Sequence, residues 1–131
     1  MPAKVLMSRG FARSARKLGL TDRTLSIAVR EIEAGLVDAR VGGFLLKKRI
    51  GNDGRGKRGG LRTIVAHRQA DRLVFLYVFG KNERDNITDR ERLALSELGD
   101  EYMRLTIERL DGLVRRGVLL EVMNDEQTAG Q

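Results

Sequence analysis

Three runs rich in branched and aromatic residues follow one another closely: FLLKKRI (44–50), LRTIVAHR (61–68) and LVFLYVF (73–79). Such side chains suit the pleated, half-buried surface of a sheet better than they suit a helix. The last two runs are joined only by QADR (69–72), which reads as a turn. Parallel neighbours need a crossover of a dozen or more residues, so these connections predict an antiparallel meander.

Helical patterns stand on either side of it. Lys4–Met7 predicts a short strand before Ser8, and Phe11, Ala12, Ala15 and Leu18 then recur at helical spacing up to a stop at Gly19. Thr21 or Asp22 starts a second helix, with Leu25, Val29 and Ile32 on one stripe and Gly35 closing it. Beyond the sheet, Thr88 or Asp89 starts a third, with Leu95, Leu98, Tyr102 and Leu105 as its apolar stripe. Thr106 leads a fourth through Ile107, Leu110 and Val114 to Gly117. VLLEV then reads as a last short strand or a docking tail, and 124–131 as disordered. The expectation is an α+β domain over residues 1–117, a central antiparallel sheet with N-terminal and C-terminal helices, and a partly disordered tail over 118–131.

The sequence has no run of 18 apolar residues to cross a membrane and no unbroken apolar stretch near its start, so the cytoplasm is the expected address. With no Cys and one His, thiolate metal sites are excluded and a His-built site lacks its ligands; no cofactor is expected. The net charge of +7 is unevenly spread. Between Arg40 and Arg72 ten bases face two acids, while the rest of the chain has 15 bases and 16 acids. A concentrated positive field points to a polyanionic partner.

Within that segment, GNDGRGKRGG (51–60) nearly matches a phosphate-binding loop through Gly51, Gly56 and Lys57. The match fails chemically. Arg58 stands where a hydroxyl must ligate Mg²⁺, and a β-prone run follows where a helix must open. The loop instead carries Arg55, Lys57 and Arg58 toward some other anion. On the strands beside it, side chains alternate. Leu45, Lys47 and Arg49 therefore share one face of the first run, with Leu46, Lys48 and Ile50 on the other and Lys48 stretching its stem toward solvent. Arg62 shares a face with Ile64, Ala66 and Arg68. If the two strands pair, Lys47, Arg49 and Arg62 converge on one patch. His67 falls on the Leu61–Thr63–Val65 side and is expected to be a packed or edge histidine.

The run KKRI…GRGKRGGLRTIVAHR…FLYVFGKNERDN resembles the RelE/HigB superfamily of bacterial toxins from type II toxin–antitoxin systems, over about Phe11 to about Leu105. The resemblance implies a small α+β domain that cleaves mRNA without a metal, usually in the ribosomal A site. It also implies a neutralising antitoxin, often with a helix-turn-helix domain, the toxin standing as a monomer or within a hetero-oligomer. Matching the family strand and the following G-x-R places Lys47, Arg49 and Arg62 at active-site positions. Matching GKNER places Lys81 and Asn82 with them and Arg84 near the scissile phosphate. Lys48, Arg55, Lys57 and Arg58 are expected to add RNA contacts. The best-known member has Arg where this chain has Asn82 and a catalytic Tyr where it has Thr88; HigB-type relatives with the same GKNE pattern lack both groups.

RNA carries its own nucleophile, the 2′-hydroxyl, so the protein must align it and stabilise the extra negative charge at phosphorus. Arg62 suits this with its planar fork. With no carboxylate pair or His dyad visible in the sequence, Lys47 is the candidate base, and Arg49 or Lys81 supports the leaving oxygen. Two other classes share these features: a related toxin that binds DNA gyrase, and a non-catalytic RNA-binding module. The Lys/Arg strand pair and the G-x-R favour the ribonuclease.

Overall fold

The computed structural model describes residues 2–52, 56–80, 83–84 and 86–123, with the backbone alone at 52 and 56–59. In chain order the elements are β1 (Lys4–Ser8), α1 (Arg9–Leu18), α2 (Asp22–Glu33), β2 (Ala39–Gly42), β3 (Leu45–Asn52), β4 (Gly56–Arg68), β5 (Arg72–Gly80), α3 (Asp89–Arg104), α4 (Ile107–Arg115) and β6 (Leu119–Glu121). Each helix starts at a hydroxyl that accepts an otherwise unpaired backbone N–H. Ser8 takes Phe11 N–H, Thr21 takes Thr24 N–H and Thr106 takes Arg109 N–H. Thr88 and Glu91 form a reciprocal capping box at the head of α3.

The strands form one sheet in the order β2-β3-β4-β5-β1-β6. β3, β4 and β5 are the antiparallel meander the sequence predicts. The sheet is not wholly antiparallel, because β1 lies parallel to β5 with Lys4 opposite Arg72 and Met7 opposite Phe75. The two helices and three strands between them supply the long crossover that a parallel pair requires. One edge went unread, and the other was read as either a last short strand or a docking tail. β2 is four residues long and ends in glycine, too short for a β signal. β6 pairs with β1, so the sheet takes in residues beyond the boundary expected at 117. The disorder expected for 124–131 falls outside the described residues.

Helices cover both faces. Phe11, Leu25, Val29 and Ile32 of α1 and α2 pack on Leu46, Ile50, Val65 and Phe75. Tyr102, Met103 and Leu110 of α3 and α4 pack on Leu6, Leu45, Ile64 and Phe79. A bulge sets which aromatic goes where. Tyr77 pairs with Ile64 and Phe75 with Val65, leaving Leu76 unopposed. Phe75 therefore stacks on Phe11 at 5.1 Å, while Tyr77 and Phe79 turn to the opposite face with their rings 5.8 Å apart.

At the far end of the β4–β5 hairpin, Arg72 is 2 % exposed and donates to Tyr102 O and Leu105 O at 2.9 and 2.5 Å. Arg68 donates to Met103 O at 2.6 Å. These carbonyls close α3, where unpaired acceptors and the negative end of the helix dipole favour a cation. The basic segment is thus not one continuous surface: two of its ten charges fasten a helix.

α3 lies close on the sheet at Gly99. A Cβ there would stand 3.1 Å from Leu45 Cδ2 and 3.3 Å from Ala66 Cβ. At Gly112 in α4 it would meet only the end of the Arg115 side chain, at 3.8 Å. Gly99→Val should cost about 1–3 kcal/mol through overpacking. Gly112→Ala should add up to about 1 kcal/mol of helix propensity. Urea unfolding of the two variants checks this; shifts of the same sign and size would contradict the close packing.

Candidate active site

The β3–β4 ladder places Lys47 opposite Ile64 and Arg49 opposite Arg62. Directly opposed residues of an antiparallel pair project to the same face, as do residues two apart. Lys47, Arg49 and Arg62 therefore meet, and with Asp38 they line a cavity of about 230 Å³. Lys47 and Arg62 are half-buried and Arg49 is exposed. Among the described residues, none of the three makes a side-chain hydrogen bond or ion pair. Three clustered cations that outnumber the one carboxylate beside them suit an anion, and the forked guanidinium groups suit a phosphate. Arg62 stands well inside β4 rather than at a strand start, because β4 runs back through the glycines to Gly56.

Asp38 is the residue that the sequence reading missed. It sits between α2 and β2, where its N–H donates to Lys47 O at 3.0 Å. Its Oδ2 accepts the Arg49 N–H at 2.5 Å. Both bonds follow from β2 pairing with β3, Ala39 opposite Lys47. Once the short edge strand goes unread, nothing in the linear sequence brings Asp38 to the cations.

Lys48 corrects the expectation of an RNA contact. It projects to the α2 face with Leu46 and Ile50 and is 4 % exposed. Its ammonium donates to Leu36 O at 2.8 Å and pairs with Glu31 at 2.9 Å. The apolar stem stays inside instead of reaching solvent, because α2 supplies a carboxylate and the turn after it a carbonyl. His67 is packed, as expected, with Nε2 2.5 Å from Glu33 Oε2 on the same side.

Arg84 is corrected in a different way. Its guanidinium donates to both Glu91 oxygens at 2.6 and 2.8 Å and to the Tyr77 hydroxyl. It also lies 5.3 and 5.2 Å from the centres of the Tyr77 and Phe79 rings. These contacts commit it to pinning the chain after β5 onto the first turn of α3. The hydrogen bond from Arg84, with a second from the Thr88 N–H, holds the Glu91 carboxyl down to about 2. Lys81, Asn82 and Arg55 lie outside the described residues, and only the backbone of Lys57 and Arg58 is described, within β4. A larger cavity, about 560 Å³, opens between α3 and α4 beside Leu105, Arg109 and Leu113, on elements that carry none of the converging cations.

A family model described as the RelE toxin of the RelE / RelB toxin–antitoxin system matches residues 3–122. The span takes in every strand and helix and all four residues of the cationic pocket. No curated protein matches the chain.

Two adjacent lysines should behave oppositely. Lys48→Ala strips a buried partner from Glu31 and Leu36 and should cost about 1–3 kcal/mol. Lys47→Ala should stay within about 0.5 kcal/mol. Denaturant midpoints of the two variants decide it, and equal losses would contradict the opposite placement.

The pin predicts a pH effect. Because the Glu91 pKa falls on folding from the ordinary 4.5 to about 2, its ionised form favours the folded state. That contribution is whole above about pH 4.5 and is lost as pH falls through about 2. The difference in melting temperature between wild type and Glu91→Gln should be steady near neutrality and shrink in strong acid. A difference that grows in acid would refute the pin.

Proposed function

The chain belongs to the RelE toxin family, one half of a toxin–antitoxin pair, and from that premise we propose that it is a metal-independent endoribonuclease that cleaves ribosome-bound mRNA and so stops translation. The observation that carries this reading is the pocket of Lys47, Arg49 and Arg62, three cations of which none forms an ion pair among the described residues. It also favours cleavage over the gyrase-binding alternative, because a concavity lined by converging cations is what an in-line displacement at phosphorus needs.

In this reading the 2′-oxygen attacks the adjacent phosphorus, and the pentavalent centre gains negative charge. Arg62 binds two of its non-bridging oxygens, and Arg49, across the ladder, neutralises the same group. Lys47 lies two residues from Arg49 on the same face, within reach of the bridging oxygens. Lys81 and Asn82 join them on the strength of the family pattern, and Arg55, Lys57 and Arg58 hold flanking phosphates. The antitoxin is a helix-turn-helix protein, and both partners work in the cytoplasm. No helix among the described residues is long and apolar enough to cross a membrane.

Arg62 gives the sharpest test. Loss of a preorganised donor at a developing charge lowers the rate on the order of a hundred- to a thousandfold. Arg62→Ala should fold, bind its antitoxin and no longer arrest growth when expressed alone, with cleaved transcripts absent from primer-extension maps. Arg62→Lys should recover little, since a point charge lacks the fork. Cleavage by the wild type should persist in EDTA. A fully toxic Arg62→Ala variant, or activity lost to chelation and restored by Mg²⁺, would sink this scheme.

A further inference from the structure

The three cations of the pocket lack one thing that ribonuclease chemistry requires. Lysine and arginine are ordinarily protonated up to about pH 10 and beyond, so neither readily accepts the 2′-hydroxyl proton near neutrality. An ionised carboxylate is an acceptor only, with lone pairs on both oxygens. Asp38 is the one carboxylate lining the pocket among the described residues. Its Oδ2 is fixed by the Arg49 N–H at 2.5 Å, and its own N–H is fixed by Lys47 O at 3.0 Å. It is exposed to solvent and forms no ion pair with the cations beside it. A negative group at a phosphate site weakens ground-state binding, and a base at that place offsets the loss by accelerating the reaction.

We infer that Asp38 is the general base of this site, an assignment that rests on the ribonuclease reading. The carboxylate takes the 2′-hydroxyl proton as the 2′-oxygen bonds to phosphorus. The bond from phosphorus to the 5′-oxygen breaks, and that oxygen takes a proton from the Lys47 ammonium. The products are a 2′,3′-cyclic phosphate and a free 5′-hydroxyl. Asp38 then releases its proton to water and Lys47 regains one, so the protein returns to its starting state without metal or co-reactant. Lys47 thereby becomes the acid rather than the base.

The charged groups facing Asp38 are Lys47 and Arg49 from β3 and Arg62 from β4. Asp38→Asn is the informative variant. Its amide oxygen can still accept the Arg49 N–H, so the strand edge is kept while the basicity is removed. The measurement is single-turnover cleavage at saturating enzyme, across acidic to neutral pH, on the mRNA substrate that the wild type cuts. The wild-type rate should fall tenfold per pH unit on the acid side. Asp38→Asn should be slower by about a hundred- to ten-thousandfold, with that acid limb gone. Asp38→Glu should recover part of the rate together with the limb. Asp38→Asn should bind the same RNA, made uncleavable by a 2′-deoxy residue at the scissile position, at least as tightly as the wild type does, and Asp38→Glu about as tightly.

Asp38→Asn cleaving at the wild-type rate, or slowly with the acid limb intact, overturns the assignment. So does weakened binding of the uncleavable RNA with an unchanged single-turnover rate, which marks Asp38 as a binding residue. If Arg62→Ala is inactive while Asp38→Asn is not, the ribonuclease reading stands and Asp38 alone falls. A wild type that cuts no RNA removes both.

Discussion

The pairing of β3 with β4 decides where each cation of the basic segment can act. Alternation has a period of two, so the neighbours Lys47 and Lys48 leave the sheet in opposite directions. One enters the cationic pocket, and the other is buried against α2. A slip of a single residue would exchange them and carry Leu46 and Ile50 out of their core as well. The register therefore rests on the hydrophobic pattern of both faces, and the charged site inherits its geometry from that pattern.

The site works against the ladder that builds it. Arg49 and Arg62 are directly opposed, an arrangement that disfavours pairing. Two like charges roughly 6 Å apart repel by on the order of 1 kcal/mol in water and about 3 kcal/mol at a typical protein surface. Pairing on both sides of the ladder, and apolar neighbours such as Ile64 and Leu45, keep it closed. In the proposed reaction a phosphate between them would turn the repulsion into attraction, and the ladder would hold the donors in place before it came. The Arg84–Glu91 pin fixes the chain after β5 to the head of α3.

Much of this was legible in the residues. The apolar runs of the meander, the threonine caps and the alternation that unites Lys47, Arg49 and Arg62 are local signals, and the structure realises each. What escaped was non-local. The parallel β1–β5 pair joins segments far apart in the chain, and β2 is too short to announce itself. Asp38 went unseen with β2, although it completes the pocket. Charge counting also misled, because it cannot separate an arginine that closes a helix, such as Arg72, from one that waits for a ligand. Lys48 and Arg84 show the same limit: a cation in a basic stretch reads as surface until its carboxylate partner is found.

Cleavage by these cations requires the scissile phosphate to lie between β3 and β4. The most direct measurement is a structure of the toxin bound to an RNA whose 2′-hydroxyl is methylated at the cleaved position, so that the bound state cannot react. That phosphate should lie within hydrogen-bond distance of the Arg62 guanidinium, flanked by Lys47 and Arg49. An RNA bound elsewhere, with those three side chains left in solvent, would contradict it.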